Sequence, residues 1–279
     1  MAVTSFFSAF IVYKHISFIS FTGILQNLPK NFTTVLSVVK FCSILCEIIT
    51  ISGGIHMSIV SDIEKLKKEK NAVILAHYYV DEDVQDVADY IGDSFYLSKV
   101  ATKVSQDRII FAGVEFMGES AKILNPKKRV FMPDMNADCP MAHMADKDEI
   151  LALREKYDDI AVVCYINSTA ELKKYSDVCV TSSNAVKIVK NLPNKNIFFI
   201  PDRNLGSYVA KQCPDKNFIF NNGCCPRHVV ITKDMVLKAK ELHPEARFAA
   251  HTECTEDVLA FADYVGSTSG IIDSVVDTD

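Results

Sequence analysis

Ala72-Val-Ile-Leu-Ala-His-Tyr-Tyr79 begins as a continuous apolar run and ends in polar side chains. A short run of this kind is typical of a strand that is buried on both faces, as in a parallel sheet. The residues from Val84 to Tyr90 then return to helical spacing. Because apolar runs and helical patterns alternate along the chain, the sequence predicts an α/β fold in which helices cover both faces of parallel sheets.

The end of this first run recurs twice along the chain. His77 aligns with Tyr165 and with His251, and these positions are 88 and 86 residues apart. An aspartate follows each of them by twelve residues: Asp89, Asp177 and Asp263. A period of this length is too long for a solenoid and fits an α/β unit of two strands and two helices. We therefore expect three such units about a pseudo-threefold axis, with equivalent loops meeting at one central site.

Two cysteines occupy matching positions of the repeat, and each precedes a proline. Cys139 and Cys225 are 86 residues apart. A lone cysteine is most often a buried small residue, but matched cysteines in equivalent loops favour metal ligands. A third cysteine at the same step would fall beyond Asp279, and three thiolates suit an iron–sulfur cluster with one open iron. His143 and His228 follow the two cysteines and are either ligands or neighbours of ligands.

The other cysteines of the body carry weaker signals. Three are predicted to lie in the core: Cys164, Cys179 and Cys213. Cys224 is an alternative ligand to Cys225, although only Cys225 precedes proline as Cys139 does. Cys254, beside Glu253, is assigned to neither group.

Polar residues stand at the end of each first strand, where parallel α/β sheets present ligands. They are His77 and Tyr79, Tyr165 and Asn167, and His251 and Glu253. Histidine and glutamate can exchange protons, whereas tyrosine and asparagine can orient carbonyl or carboxylate groups. We therefore expect the chemistry at these strand ends.

A hydroxyl-rich turn follows in each copy, with Ser94, Ser182 and Thr268 in equivalent places. A hydroxyl and backbone N–H groups at the start of a helix suit a phosphate or carboxylate, helped by the helix dipole. Each residue alone would be an ordinary N-cap, and Ser94 is predicted to cap the helix that follows it. Three equivalent residues at one axis favour an anionic ligand.

Composition narrows the possible functions. The 279 residues carry a formal charge of −5 without a basic run, so nucleic acid is not an expected partner. Nine cysteines without a Cys-x-x-Cys pair match neither a disulfide framework nor a zinc ribbon. The chain is therefore predicted to be reduced and cytoplasmic, with no membrane association of its body.

Residues 1–56 differ from the rest, because they hold only four charged side chains while residues 57–279 hold 61. Their uncharged runs are shorter than the ~20 residues of a membrane span, and no clear signal peptide is present. The preferred interpretation is a native start at Met57, preceded by a hydrophobic leader that is not part of the fold. The alternative is a membrane-associated leader.

Collinear motifs between Met57 and Gly270 resemble quinolinate synthase, the A protein of bacterial NAD biosynthesis. The motifs include Leu75-Ala-His-Tyr-Tyr79, Ala137-Asp-Cys-Pro-Met-Ala142, Pro201-Asp-Arg-Asn-Leu-Gly206, Asn222-Gly-Cys-Cys-Pro226 and His251-Thr-Glu-Cys254. The resemblance implies three-layer α/β/α domains in pseudo-threefold arrangement, with repeats at 57–143, 144–229 and 230–279, the last one incomplete. It also implies a [4Fe–4S] cluster whose open iron acts as a Lewis acid.

The reaction that the resemblance implies is the condensation of iminoaspartate with dihydroxyacetone phosphate to quinolinate, with functional coupling to an L-aspartate oxidase. Cys139 and Cys225 would be metal ligands, and Glu253, His251 and Tyr79 would be catalytic. The substrate-binding residues would be His77, Ser94, Tyr165, Asn167, Ser182 and Thr268.

Two departures from the family pattern affect these expectations. Thr252 stands where the family usually has proline, and the rest of the third repeat with its cysteine is missing. We therefore expect this chain to be a C-terminally truncated fragment with little or no synthase activity. Two other functions compete: a cysteine-based redox or metal sensor without turnover, and a hydro-lyase of the aconitase type.

Overall fold

The computed structural model describes residues 59–276, so the predicted leader over residues 1–56 and the predicted start at Met57 lie outside the described residues. Residues 59–70 form helix α1, which belongs to a different compact unit from the residues that begin at Asn71. Lys67 Nζ forms an ion pair with Glu64 Oε1 at 2.6 Å, and the two residues lie one turn apart on this helix. None of the helices within the described residues is long and apolar enough to cross a membrane.

The first sheet of the body has four parallel strands in the order β2-β1-β3-β4. Helices follow the first three of them, and Pro140–His143 forms a 3₁₀ turn after the last. The elements are β1 (Ala72–His77), α2 (Glu82–Asp86), β2 (Tyr90–Gly92), α3 (Ser94–Lys103), β3 (Arg108–Ala112), α4 (Glu115–Leu124) and β4 (Arg129–Phe131).

The second sheet repeats this order as β6-β5-β7-β8, again with all neighbours parallel. Its elements are α5 (Lys147–Lys156), β5 (Ile160–Tyr165), α6 (Ala170–Lys174), β6 (Val178–Val180), α7 (Ala185–Asn191), β7 (Asn196–Ile200), α8 (Arg203–Gln212) and β8 (Asn217–Phe220). A parallel pair, β9 with β10, begins the same order a third time. This part comprises α9 (Lys233–Leu242), β9 (Ala249–His251), α10 (Glu256–Leu259), β10 (Tyr264–Gly266) and α11 (Thr268–Val276).

The prediction of an α/β fold with parallel sheets is confirmed. The three pairs of first strands share one register, in which His77 faces Gly92, Tyr165 faces Val180 and His251 faces Gly266. The boundaries 57–143, 144–229 and 230–279 stay a prediction.

The aspartate twelve residues after each aligned position has one structural task. Its carboxylate accepts a backbone N–H from the first strand in the first two copies and from Phe248, just before β9, in the third. The pairs are Asp89 with Ile74 at 2.8 Å, Asp177 with Val162 at 2.7 Å, and Asp263 with Phe248 at 2.7 Å. The repeated aspartate therefore joins the second strand to the first and lies outside the candidate site.

Replacing Asp177 by alanine is expected to lower the free energy of unfolding by about 1–2 kcal/mol, because the N–H of Val162 loses its acceptor. The ion pair of Asp177 with Arg154 at 2.8 Å is lost as well. Urea unfolding followed by circular dichroism measures the shift in midpoint. The exposed Asp158 is the matched control, and an equal shift in Asp158→Ala would contradict this role.

The alternation of side chains along β5 determines which residues approach the candidate site. Ala161, Val163 and Tyr165 pack in one buried cluster, which the Cys139 side chain also contacts. Ile160, Val162 and Cys164 pack in a different cluster. Because successive side chains of a strand point to opposite faces, Tyr165 and Cys164 pack against different groups of residues.

Candidate active site

A buried carboxylate, Glu253, lies just after β9. Its side chain accepts a hydrogen bond from the hydroxyl of Tyr165, with 2.6 Å between Tyr165 Oη and Glu253 Oε1. His228 Nδ1 lies 2.9 Å from the other oxygen, Glu253 Oε2. Both partners come from the second repeat, and both carboxylate oxygens are therefore held in place.

The surroundings keep Glu253 ionised. Burial favours the neutral acid, but the hydrogen bond from His228, the nearby histidine charges and the hydrogen bond from Tyr165 outweigh it and lower the pKa to about 2. Asp202 responds in the opposite direction, because burial and then the charge of Glu253 raise its pKa to about 7. The pKa values of the two carboxyl groups are thus far apart, with that of Glu253 lowered and that of Asp202 raised. Such a pair is typical of acid–base sites.

Two histidines at strand ends share one protonation pattern. His251 Nδ1 accepts the backbone N–H of Glu253 at 3.3 Å, and His77 Nδ1 accepts that of Tyr79 at 3.2 Å. Burial lowers the pKa of each ring to about 4. A neutral ring whose Nδ1 accepts carries its proton on Nε2, so both histidines are N–H donors at neutral pH.

Cys225 is buried beside these groups. Its Sγ lies 3.0 Å from His228 Nδ1, and its backbone N–H donates to Asp202 Oδ2 at 2.9 Å. Ligand atoms of Cys225, His228 and Glu253 all lie within 4.8 Å of one another, which is close enough to hold a metal ion. Burial and then the charge of Glu253 raise the pKa of Cys225, so a cation is needed to stabilise its thiolate.

Cys139 is in a comparable setting in the first repeat. Burial raises the pKa of its thiol, and the backbone N–H groups of Met141 and Ala142 oppose that shift. Cys225 receives equivalent N–H groups from Arg227 and His228. Two thiols that each face two backbone N–H donors fit the thiolate ligands of an iron–sulfur cluster, whose sulfurs accept such hydrogen bonds.

Two buried polar atoms support a ligand site at the strand ends. Among residues 59–276, Asn167 Oδ1 and Thr252 Oγ1 are buried side-chain oxygens without a hydrogen-bond partner. Buried polar atoms are rarely left without partners, and a binding site is one explanation. Thr252 is the residue that departs from the family pattern, and its hydroxyl is one of these two atoms.

The hydroxyl-rich turns differ in detail from the prediction. Ser94 is the first residue of α3, but its neighbour Asp93 is the N-cap and accepts the N–H of Tyr96 at 2.8 Å. The prediction that Ser94 caps this helix is therefore wrong. Ser182 precedes α7 in a turn, whereas Thr268 begins α11 and its Oγ1 lies 3.1 Å from Tyr79 Oη.

Contacts between repeats bring these turns and strand ends together. Ser269 donates a hydrogen bond to Asp93, which joins the third copy to the first. Asn204 donates to the backbone carbonyl of Glu253 at 3.0 Å, which joins the second copy to the third. Tyr79, which contacts Thr268, remains largely exposed.

Some residues lie in other surroundings than the sequence predicts, and others near the site were not predicted from the sequence. His228 contacts Cys225 and Glu253, whereas His143 is half-exposed and pairs with Asp138 at 2.7 Å. Asp202 and Asn204 were missed, because the sequence marks them only as the start of a helix. Cys164 and Cys213 are buried as predicted, but Cys179 is exposed, and the prediction that it lies in the core is wrong.

Comparison with known proteins supplies the family. The family model described as quinolinate synthetase A protein matches residues 61–279. A quinolinate synthase from Fusobacterium nucleatum is 61% identical over 214 residues, which cover 77% of this chain and 72% of that protein. Quinolinate synthases from Caldicellulosiruptor saccharolyticus and Clostridioides difficile are 54% and 51% identical, over 76% and 75% of this chain and 70% and 69% of their own lengths. The chain therefore belongs to the quinolinate synthetase A protein family.

Proposed function

We propose that the function of this chain is the condensation of iminoaspartate with dihydroxyacetone phosphate to quinolinate, and the expectation that the 279-residue chain itself has little or no activity stays a prediction. The observation that carries the proposal is the buried Glu253, held by Tyr165 and His228 beside Cys225. An ionised carboxylate between a hydroxyl and two histidines suits a reaction that needs repeated proton transfer. Cytoplasmic location and functional coupling to an L-aspartate oxidase stay predictions.

Family membership implies an iron–sulfur cofactor, and we assign Cys139 and Cys225 as two of its ligands. The type expected is [4Fe–4S], and when bound it supplies a Lewis-acidic iron for a substrate oxygen. The N–H groups that face both sulfurs support this assignment. His228 Nδ1 lies close to Cys225 Sγ, so a cofactor bound to that sulfur would affect the ring of His228. The same ring also positions Glu253.

The proton transfers are assigned to Glu253 and its partners. A carboxylate whose pKa is lowered is a weak base, so substrate binding must replace at least one of its donors, Tyr165 or His228. Loss of either donor raises the pKa of Glu253 toward a useful value. Tyr165 Oη, whose pKa is raised by burial, can then donate its hydrogen bond to a substrate oxygen, while Glu253 takes up a proton that the substrate gives up. His251, with its proton on Nε2, would orient a carbonyl or carboxylate group.

The remaining residues are assigned to binding. Ser94, Ser182 and Thr268 would hold the phosphate and the carboxylates, because each stands at or just before a helix start. Asn167, whose Oδ1 is buried without a partner among the described residues, would accept a hydrogen bond from the substrate. His77 would complete this face beside Tyr79, which is proposed as a catalytic residue and whose Oη lies 3.1 Å from Thr268 Oγ1. Tyr79 is exposed and can therefore reach an incoming substrate.

The test is quinolinate formation after anaerobic reconstitution with iron and sulfide. The 279-residue chain is assayed beside a version extended along its own reading frame, with the Fusobacterium nucleatum enzyme as positive control. We expect quinolinate from the protein that holds a cluster. A cluster-bearing protein that forms no quinolinate while the control does would contradict the proposal, and dehydration of a hydroxy acid instead would favour the hydro-lyase.

A further inference from the structure

Two cysteines face each other across neighbouring strands of the second sheet, away from the candidate active site. Cys164 of β5 and Cys179 of β6 are register partners, one step before Tyr165 and Val180. The same register position holds Ala76 with Ile91 in the first sheet and Ala250 with Val265 in the third. The fold therefore does not require thiols here, and the pair is particular to the second repeat.

The two thiols differ in exposure. Cys164 is fully buried in the cluster that includes Val162 and Leu172, whereas Cys179 is exposed on the short strand β6. The two thiols influence each other, because each shifts the pKa of the other: the pKa of Cys164 is lowered and that of Cys179 is raised. A small molecule can therefore reach Cys179 from solvent, and Cys164 can be reached through Cys179.

The surroundings of the pair stabilise one negative charge. The neighbouring Cys179 thiol lowers the pKa of Cys164 to about 7 against the effect of burial, and Lys173 adds to the lowering. Burial lowers the pKa of Lys173, and the charges of the two thiols oppose this. Lys173 Nζ is anchored by Ser120 Oγ at 2.8 Å. A thiolate beside a lysine is the reactive form of cysteine.

We propose that Cys164 and Cys179 form a thiol–disulfide exchange site for low-molecular-weight disulfides. Directly paired residues of neighbouring strands lie about 4.8 Å apart, within the Cα separations of about 4.4–6.8 Å that a disulfide spans. Cys179 is the entry thiol because it is exposed, and Cys164 is the resolving thiol.

The exchange proceeds in two displacements. Cys179 loses its proton to solvent and attacks one sulfur of the small disulfide, which forms a mixed disulfide and releases one small thiolate that takes up a proton from solvent. The Cys164 thiolate then attacks Cys179 Sγ and expels the second small thiolate, which is also protonated by solvent. The pair is oxidised to a disulfide, and the small disulfide is reduced to two thiols.

The bond would form on the face of β5 opposite to Tyr165. It therefore leaves the Tyr165 hydroxyl and its hydrogen bond to Glu253 in place. This proposal does not depend on the quinolinate reaction, and its test needs neither substrate nor cofactor.

Oxidised glutathione is the probe, and peptide mass spectrometry after alkylation is the measurement. In the unchanged chain we expect a Cys164–Cys179 cross-link. Cys164→Ser should stop at a stable mixed disulfide on Cys179, and Cys179→Ser should leave Cys164 as a thiol. Cys213→Ser, which changes a buried lone cysteine, should behave like the unchanged chain. If a variant at a buried cysteine fails to fold, the presence or absence of the Cys164–Cys179 cross-link in the unchanged chain still tests the proposal.

The role of Lys173 is tested by the rate of the second displacement. Lys173→Met is expected to slow the conversion of mixed disulfide to cross-link about tenfold at pH 7, because the Cys164 thiolate loses its cation. The exposed neighbour Lys174 is the matched control, and Lys174→Met should leave the rate unchanged. A pair that stays reduced while other cysteines react, or a mixed disulfide that persists in the unchanged chain, would overturn the proposal.

Discussion

Replacing Glu253 by glutamine is expected to lower the rate of quinolinate formation at least about a hundredfold, the usual contribution of a general acid–base group. The amide keeps the shape of the side chain and can still accept the hydrogen bond of Tyr165 at its oxygen. It cannot take up a proton, and its NH₂ group cannot accept the hydrogen bond that Oε2 receives from His228. The loss should therefore fall on turnover, with a smaller change in KM.

The measurement is the initial rate of quinolinate formation in the reconstituted protein that is active in the proposed assay. Glu256→Gln is the matched control, because Glu256 is an exposed glutamate three residues along that pairs with Lys211 at 2.6 Å. Iron and sulfide content should stay equal in both variants. A Glu253→Gln variant within about threefold of the unchanged rate would show that Glu253 is not the acid–base group.

The repeat in the sequence predicts which strand ends lie close together. Tyr165 and Glu253 belong to equivalent strand ends, and the structure brings them to 2.6 Å because those ends converge. His228 and Asp202 could not be separated from similar residues by pattern. Their importance comes from contacts with Glu253 and Cys225 that span many residues. His143 also follows its cysteine closely, four residues on instead of three, but it pairs outward with Asp138.

Two predictions from the sequence are wrong for local physical reasons, the capping role of Ser94 and the burial of Cys179. Asp93 and Ser94 are both good capping residues, and the choice between them depends on where the extended backbone ends, which is at Asp93. Cys179 lies between two valines, a pattern that indicates a buried strand. The strand β6 is a short edge strand of the second sheet, so it has a strand neighbour on one side only, and Cys179 is exposed there.

Cys225→Ser is expected to abolish stable iron–sulfur incorporation, with at least about tenfold weaker cofactor binding. The reason is chemical, because a serine hydroxyl does not form the thiolate that the cluster requires. Iron and sulfide per chain after anaerobic reconstitution, with the visible absorption of the cluster, are the measurements. They depend on the ligands alone and are independent of turnover.

The neighbouring cysteine makes this experiment decisive. Cys224 is less buried than Cys225, and it has no histidine or aspartate contact like those that Cys225 makes with His228 and Asp202 in the described part of the chain. Cys224→Ser is therefore expected to retain iron and sulfide at the unchanged level. The opposite outcome, in which Cys224→Ser loses the cofactor and Cys225→Ser keeps it, would move the ligand by one residue. It would also separate Glu253 and His228 from the cofactor, because both contact Cys225.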